Sequence, residues 1–150
     1  MSLEKEVDAL KKVPLFANIE TKKLKLMAFA SERLTFKPGQ LLVRQGDQGD
    51  AAYIILDGEA DVVVTQPDGR EVVVATLARH AVLGEIAILC DVPRTATVRA
   101  KEGVQALKIT KDLFFRLVQD FPQIGIEVMR ILAARLEKTT QDLSLARGGH

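Results

Sequence analysis

The stretch GEIAILCDVPRTATVRA, residues 84–100, combines a glycine, a carboxylate and a guanidinium within a short distance along the chain. Gly84 has no side chain, so a ligand can approach the backbone closely there. Arg94 can bind two oxygens of one phosphate through its planar guanidinium. The apolar run at 86–89 predicts one or two helical turns, whose N-terminal N–H groups attract an anion. Together these residues predict a cradle for an anion.

Glu85 indicates that the ligand is more than a phosphate. A carboxylate beside a phosphate is unfavourable unless it has a task of its own, and accepting hydrogen bonds from a sugar hydroxyl is one. The pair therefore suggests a ribose and a phosphate held side by side, as they are fused in a cyclic nucleotide. A plainer alternative is that Glu85 and Arg94 form only an exposed ion pair, worth about 0–1 kcal/mol, with TATVRA as an ordinary half-buried strand.

Two helices are predicted before this stretch. Leu3, Val7 and Leu10 recur at helical spacing until the break at Val13 and Pro14. Asn18 is the predicted N-cap of the second helix. The apolar positions of the second helix keep the i, i+3, i+4 pattern: Leu24, Met27 and Ala28.

From residue 33 to about 109 the chain reads as short β-branched or aliphatic runs separated by turn residues, which is typical of an antiparallel barrel or sandwich. The runs are LLVRQ (41–45), AYIIL (52–56), DVVVT (61–65), EVVVATL (71–77), TATVRA (95–100) and VQALKI (104–109). The pattern predicts a mainly β protein with flanking helices, built on a jelly-roll-like antiparallel β-roll.

Two further helices are predicted at the C-terminal end. The first opens near Thr110 and ends before Phe121 and Pro122. The second carries a broad apolar stripe formed by Ile124, Val128, Ile131, Leu132 and Leu136. The length fits one domain, residues 1–150, with an ordered core expected over about 14–143.

Composition excludes several classes of function. The net charge of +1 gives no general attraction to nucleic acid or to anionic lipid. A single cysteine, Cys90, cannot form an internal disulfide, and the absence of a signal peptide or spanning run favours a cytoplasmic protein without membrane insertion. Two histidines cannot supply the cluster of a metal cupin, so no metal site is expected. Without a metal pair or an activated nucleophile, the sequence predicts binding without turnover and no enzyme.

Two motifs in the right order carry a family resemblance. GEIAILCDVPRTATVRA resembles the phosphate-binding cassette of the cyclic nucleotide-binding domain family, which includes the catabolite activator protein, kinase regulatory subunits and cyclic-nucleotide-gated channels. FKPGQLLVRQGDQGDAAYIILDGEADVVV (36–64) is similar to the glycine-punctuated first half of that family's roll. With the flanking helices, the resemblance covers nearly the whole chain.

The resemblance implies roles for the central residues of the cassette. It implies that Arg94 pairs with the cyclic phosphate and that Glu85 accepts the ribose 2′-hydroxyl. It also implies that Gly84, Ile86 and Ala87 line the site with backbone groups.

The resemblance implies more peripheral roles for five other residues. Thr95 would add a hydroxyl near the phosphate and, in members that accept cGMP, near the purine. Ala96 would pack close to the phosphate through its backbone. Val82 and Leu83 would give apolar cover to the sugar and base. Arg130 is a candidate lid residue over the base.

The expected function is a cyclic nucleotide sensor that needs no cofactor beyond its ligand, with cAMP favoured over cGMP. Its expected partners are the nucleotide and either a second copy, through the C-terminal helix, or an effector. One branch of the family appends a helix-turn-helix, but only EKTTQDLSLARGGH follows Leu136, too little for a DNA-binding module. The alternatives are a fragment of a larger transcription factor, channel or enzyme, and a non-binding relative of the fold.

Overall fold

A computed structural model describes residues 3–13, 16–84 and 93–148. In these residues helices flank a β-roll of two four-stranded antiparallel sheets. The helices are α1 (Leu3–Lys12), α2 (Thr21–Ala30), α3 (Lys111–Asp120) and α4 (Pro122–Gly148). The strands are β1 (Glu32–Phe36), β2 (Leu41–Val43), β3 (Ala51–Asp57), β4 (Ala60–Thr65), β5 (Glu71–Leu77), β6 (Val82–Leu83), β7 (Thr97–Ala100) and β8 (Val104–Thr110).

The two sheets have the strand orders β1-β8-β3-β6 and β2-β7-β4-β5. Each sheet therefore joins strands that are distant in the sequence. The central pair of the first sheet, β3 and β8, places Ala52 opposite Ile109 and Ile54 opposite Leu107. The predicted antiparallel roll is confirmed.

Strand β3 is buried on both faces, because side chains alternate between the two sides of a strand. Ala52, Ile54 and Leu56 join the cluster that contains the helices, whereas Tyr53 and Ile55 join the cluster inside the roll. The strand AAYIILD is accordingly a nearly continuous apolar run, and it is the wall shared by the two cores.

The first three helices largely match their sequence prediction. α1 and α2 have the expected buried stripes, and α1, although it precedes residue 14, contributes Val7 and Leu10 to the core. Thr110 is the N-cap of α3, and its hydroxyl accepts the N–H of Leu113 at 3.1 Å. The predicted N-cap of α2 is wrong, because α2 begins at Thr21 and Asn18 instead donates its amide to Glu127 at 3.4 Å.

Two of the strands were not among the predicted runs. β1, ERLTF, is mostly exposed or half-buried and therefore lacks a clear apolar alternation. β6 has only two residues, too few for any periodicity. Both segments are strands because they pair with neighbours: β1 pairs with β8 along its whole length, and β6 pairs with β3.

The apolar stripe of α4 is only partly buried. Ile124 and Val128 lie in the core and Leu132 packs against it, but Leu136 is 69% exposed. The side chain of Ile131 lies outside the described residues. The predicted apolar stripe is therefore buried at Ile124 and Val128 and exposed at Leu136.

A buried ion pair fastens α1 to the roll. Glu6 is fully buried on α1, and its carboxylate contacts the guanidinium of Arg33 on β1 through Oε1 to Nη2 and Oε2 to Nε. Oε2 has no further hydrogen bond within the described part of the chain. The negative charge of Glu6 therefore depends on Arg33 for its counter-charge, because a buried charge without a partner is strongly unfavourable.

We expect Arg33→Ala to lower the free energy of unfolding by about 1–3 kcal/mol, because it leaves a buried carboxylate unpaired. Urea unfolding of the purified protein measures this change. The control is Arg79→Ala, which removes an exposed pair with Asp57 and should cost at most about 1 kcal/mol. Equal losses in the two variants would contradict the role given to Arg33.

Candidate functional site: a guanidinium against a glycine

Strands β6 and β7 bring the two ends of the cassette together. β6 pairs with β3, placing Leu83 opposite Tyr53, and Gly84 follows directly. The described chain resumes at Pro93, which bridges to Gln48, and Arg94 then leads into β7. Predicted residues Glu85, Ile86 and Ala87, and the predicted cassette helix with them, lie outside the described residues.

Arg94 is held by its backbone and by its side chain. Its N–H donates to the carbonyl of Asp47, and its own carbonyl accepts the N–H of Gly46, both at 2.8 Å. Its Nη2 donates to the carbonyl oxygen of Ala51 at 2.5 Å. The half-buried guanidinium is therefore fixed at the beginning of β3, beside the turn that follows β2.

Gly84 provides the space in which this guanidinium lies. Its φ is +84°, a left-handed conformation that favours glycine. A Cβ at this position would overlap Nη1 of Arg94 and lie 2.8 Å from the Ala51 carbonyl oxygen. The structure thus brings two predicted residues, Gly84 and Arg94, into direct contact.

The structure separates Val82 from Leu83. Leu83 is buried in the cluster inside the roll, with Tyr53, whereas Val82 packs against the helical cluster on the other face of β6. The two side chains face opposite sides because they are neighbours on a strand, and their expected contacts with the sugar and base stay predictions.

The other predicted residues lie at different depths. Thr95 is exposed and Ala96 half-buried, just ahead of β7. Arg130 is mostly exposed and ion-pairs with Glu127 on its own helix at 3.3 Å. The structure does not join Arg130 to Gly84 or Arg94 by a hydrogen bond, so its lid role stays a prediction.

Sequence reasoning missed the residues that hold Arg94. Ala51, Asp47 and Gly46 act through backbone groups, which leave no side-chain signal. Thr97 was also missed, although its hydroxyl accepts the N–H of Gln45 at 2.9 Å and ties β7 to the same turn. The repeated glycines of RQGDQGD were the available signal of a structured turn.

The family model for the cyclic nucleotide-binding domain matches residues 33–121. The chain belongs to this family. The match begins within β1, contains the rest of the roll with Gly84 and Arg94, and ends one residue after α3. The predicted resemblance is confirmed, and the chain contains a regulatory cyclic nucleotide-binding domain.

Similar proteins have different overall architectures. The chain is 33% identical over 141 residues to the cAMP-dependent protein kinase regulatory subunit of Blastocladiella emersonii, covering 94% of this chain and 32% of that protein. It is 34% identical over 116 residues to the lysophospholipase nte1 of Neurospora crassa, covering 77% of this chain and 8% of that protein. The chain therefore spans less than a third of either relative.

A solved structure has the same fold. The N-terminal domain of a transcriptional regulator from Streptomyces coelicolor A3(2) superposes with a TM-score of 0.84 and 29% identity, covering 89% of this chain and 96% of that chain. Within the described residues of the present domain, no helix is long and apolar enough to cross a bilayer.

We expect Gly84→Ala to weaken cyclic nucleotide binding by about ten- to a hundred-fold, the effect of losing one charged hydrogen bond, because the methyl group displaces Arg94. Titration calorimetry measures the affinity. Gly69→Ala is the matched control, since Gly69 has a φ of +86° and open space around its Cβ position. Both variants carry the left-handed strain of roughly 1–2 kcal/mol, so equal affinities would contradict the steric argument.

Proposed function

We propose that this domain binds a cyclic nucleotide, cAMP in preference to cGMP, without converting it, and that binding repositions the C-terminal helices. The observation that carries the proposal is the guanidinium of Arg94, held against Gly84 by the carbonyl of Ala51. Each part of the ligand is assigned starting from the residues around this guanidinium.

The charge on Arg94 favours an anionic ligand. Among the described residues its side chain bonds only a neutral carbonyl oxygen, and no described carboxylate pairs with it. A half-buried cation without an anionic partner is unfavourable, and a phosphate can satisfy two of its N–H groups at once. In this proposal the cyclic phosphate supplies the missing charge.

The sugar and base are assigned by the family resemblance and by position. Glu85 directly follows Gly84 and is proposed to accept the ribose 2′-hydroxyl, with Ile86 and Ala87 offering backbone groups. Leu83 is proposed to line the sugar side and Arg130 to cover the base. The exposed hydroxyl of Thr95 is available to a ligand.

The preference for cAMP is supported by similarity to a relative whose name states cAMP dependence. Adenine can be held by shape and backbone contacts alone, so its binding requires no particular side chain. Binding without turnover is proposed because a regulatory role requires the ligand to persist, and the residues assigned here bind phosphate and sugar.

A route from the site to the helices runs through the start of β3. Ala51 bonds Arg94, and the preceding residue, Asp50, accepts the N–H of Lys111 at the start of α3 at 2.8 Å. A phosphate that draws Arg94 away from Ala51 alters this end of β3, where α3 begins. The ligand shifts the helices only as far as its affinity differs between the two arrangements.

We expect Arg94→Ala to reduce cAMP affinity by about 2–5 kcal/mol, or roughly thirty-fold to a few thousand-fold, because the phosphate loses its counter-charge. Calorimetry with cAMP and cGMP measures both the loss and the base preference. The matched control is Arg99→Ala, which removes a half-buried arginine of β7 that is paired with Glu71 on β5. Near-normal binding by Arg94→Ala would refute the proposed role.

We also propose that a second copy of the chain pairs through α4. Beyond Leu132 every described side chain of this helix is exposed. The exposed apolar side chains recur with coiled-coil spacing: Ile126, Met129, Leu136 and Leu143. An effector that covers the same face is the alternative partner.

We expect wild-type protein to sediment as a dimer and Leu136→Ser with Leu143→Ser to sediment as a monomer, because the seam loses two of its apolar positions. Analytical ultracentrifugation over a concentration series measures the masses. Val73→Ser, at a comparably exposed valine on β5, serves as the control and should remain dimeric. A monomeric wild-type protein would contradict the proposed pairing.

A further inference from the structure

The outward face of α2 combines cations with large apolar side chains. Lys22, Lys25, Leu26 and Phe29 are all exposed and follow the i, i+3, i+4, i+7 spacing of one helical stripe. Phe29 is 77% exposed, the highest value of any large apolar side chain in the described residues, and Leu26 is 50% exposed. We name these four residues the α2 stripe.

Helix α2 itself carries three lysines and no acidic residue. Lys22 and Lys25 form no ion pair with a described carboxylate, and the exposed lysines Lys11 and Lys12 end the adjoining helix α1. The nearby acid Glu20 is instead paired with Lys23. The stripe is thus locally cationic, although the whole chain carries a net charge of only +1.

We infer that the α2 stripe docks on an anionic lipid surface. Phenylalanine and leucine enter the boundary between headgroups and acyl chains, while lysine stems lie along it and their ammonium groups reach lipid phosphates. Each lysine near such a surface increases the partitioning of the protein onto the membrane about five-fold. The attachment is peripheral and uses no spanning helix.

The shape of the stripe favours a membrane over a partner helix. A peptide helix docks in an apolar groove, but this stripe is the outward face of a single helix and is therefore convex. A cavity of about 460 Å³ lies between α1 and the sheet, and its lining includes Asp57, Arg79 and His80 but no residue of α2. A lipid surface adapts to a convex face without a groove.

Vesicle co-sedimentation of the full chain tests this inference directly. The probes are phosphatidylcholine vesicles with and without about 30% phosphatidylserine, which adds the negative surface charge. The wild-type protein should bind the anionic vesicles at least about ten-fold better. This preference should disappear at about 0.5 M salt, which screens surface charge.

Two independent double variants locate the surface. Lys22→Glu with Lys25→Glu should abolish the preference for anionic vesicles. Leu26→Ser with Phe29→Ser should weaken binding to them by at least about ten-fold, because the apolar anchors are lost. If one double variant fails to fold, the other still decides the question.

Matched controls carry the same changes elsewhere. Lys37→Glu with Lys138→Glu alters net charge equally at two other exposed lysines, and Val73→Ser with Val74→Ser removes exposed valines on β5. Both controls should bind anionic vesicles like the wild-type protein. Their cyclic nucleotide affinity, and that of the α2 variants, should be unchanged, which separates this inference from the proposed function.

Three results would overturn the inference. The first is equal binding of the wild-type protein to neutral and anionic vesicles. The second is an equal loss of binding in the α2 variants and in the controls. The third is a change in the protein's own mass in Leu26→Ser with Phe29→Ser without vesicles, which would mean that a second copy covers the stripe.

Discussion

The contact between the Arg94 guanidinium and the Ala51 carbonyl, made over a glycine, is the constraint on which the site depends. Because Gly84 lacks a Cβ and adopts a left-handed conformation, the guanidinium lies where any other residue would block it. The carbonyl orients the cation but does not neutralise it, since a peptide oxygen carries only a partial charge. In the proposed function the guanidinium is therefore oriented by the protein and keeps its charge for the phosphate.

Strand β3 links this contact to the rest of the molecule. Its first residue, Ala51, accepts the guanidinium, while Ala52 and Ile54 pack among the helices and Tyr53 lies inside the roll. Tightly packed interiors resist small, continuous deformations. A disturbance at the start of β3 is consequently expected to reach both cores, and this is the route from ligand to helices on which the proposed switching depends.

Two helices, α2 and α4, leave large apolar side chains exposed to solvent. α1 is joined to the roll by the ion pair between buried Glu6 and partly exposed Arg33. α2 exposes Phe29, and α4 continues beyond Leu132 with exposed apolar positions. These exposed apolar side chains are the observations behind the two proposed contact surfaces, one on α2 and one on α4.

The sequence by itself determined the β-roll, the buried stripes of α1 and α2, the bounds of α3 and the residue types of the proposed anion site, because periodicity and turn residues are local properties. It also singled out Gly84 and Arg94. Only the tertiary structure decided what holds Arg94, because the Ala51 carbonyl is a backbone group that any residue possesses. It likewise paired β6 with β3, which makes Val82 and Leu83 neighbours on a strand, and it gave Asn18 a distant partner instead of a cap, since both pairings join residues far apart in the chain.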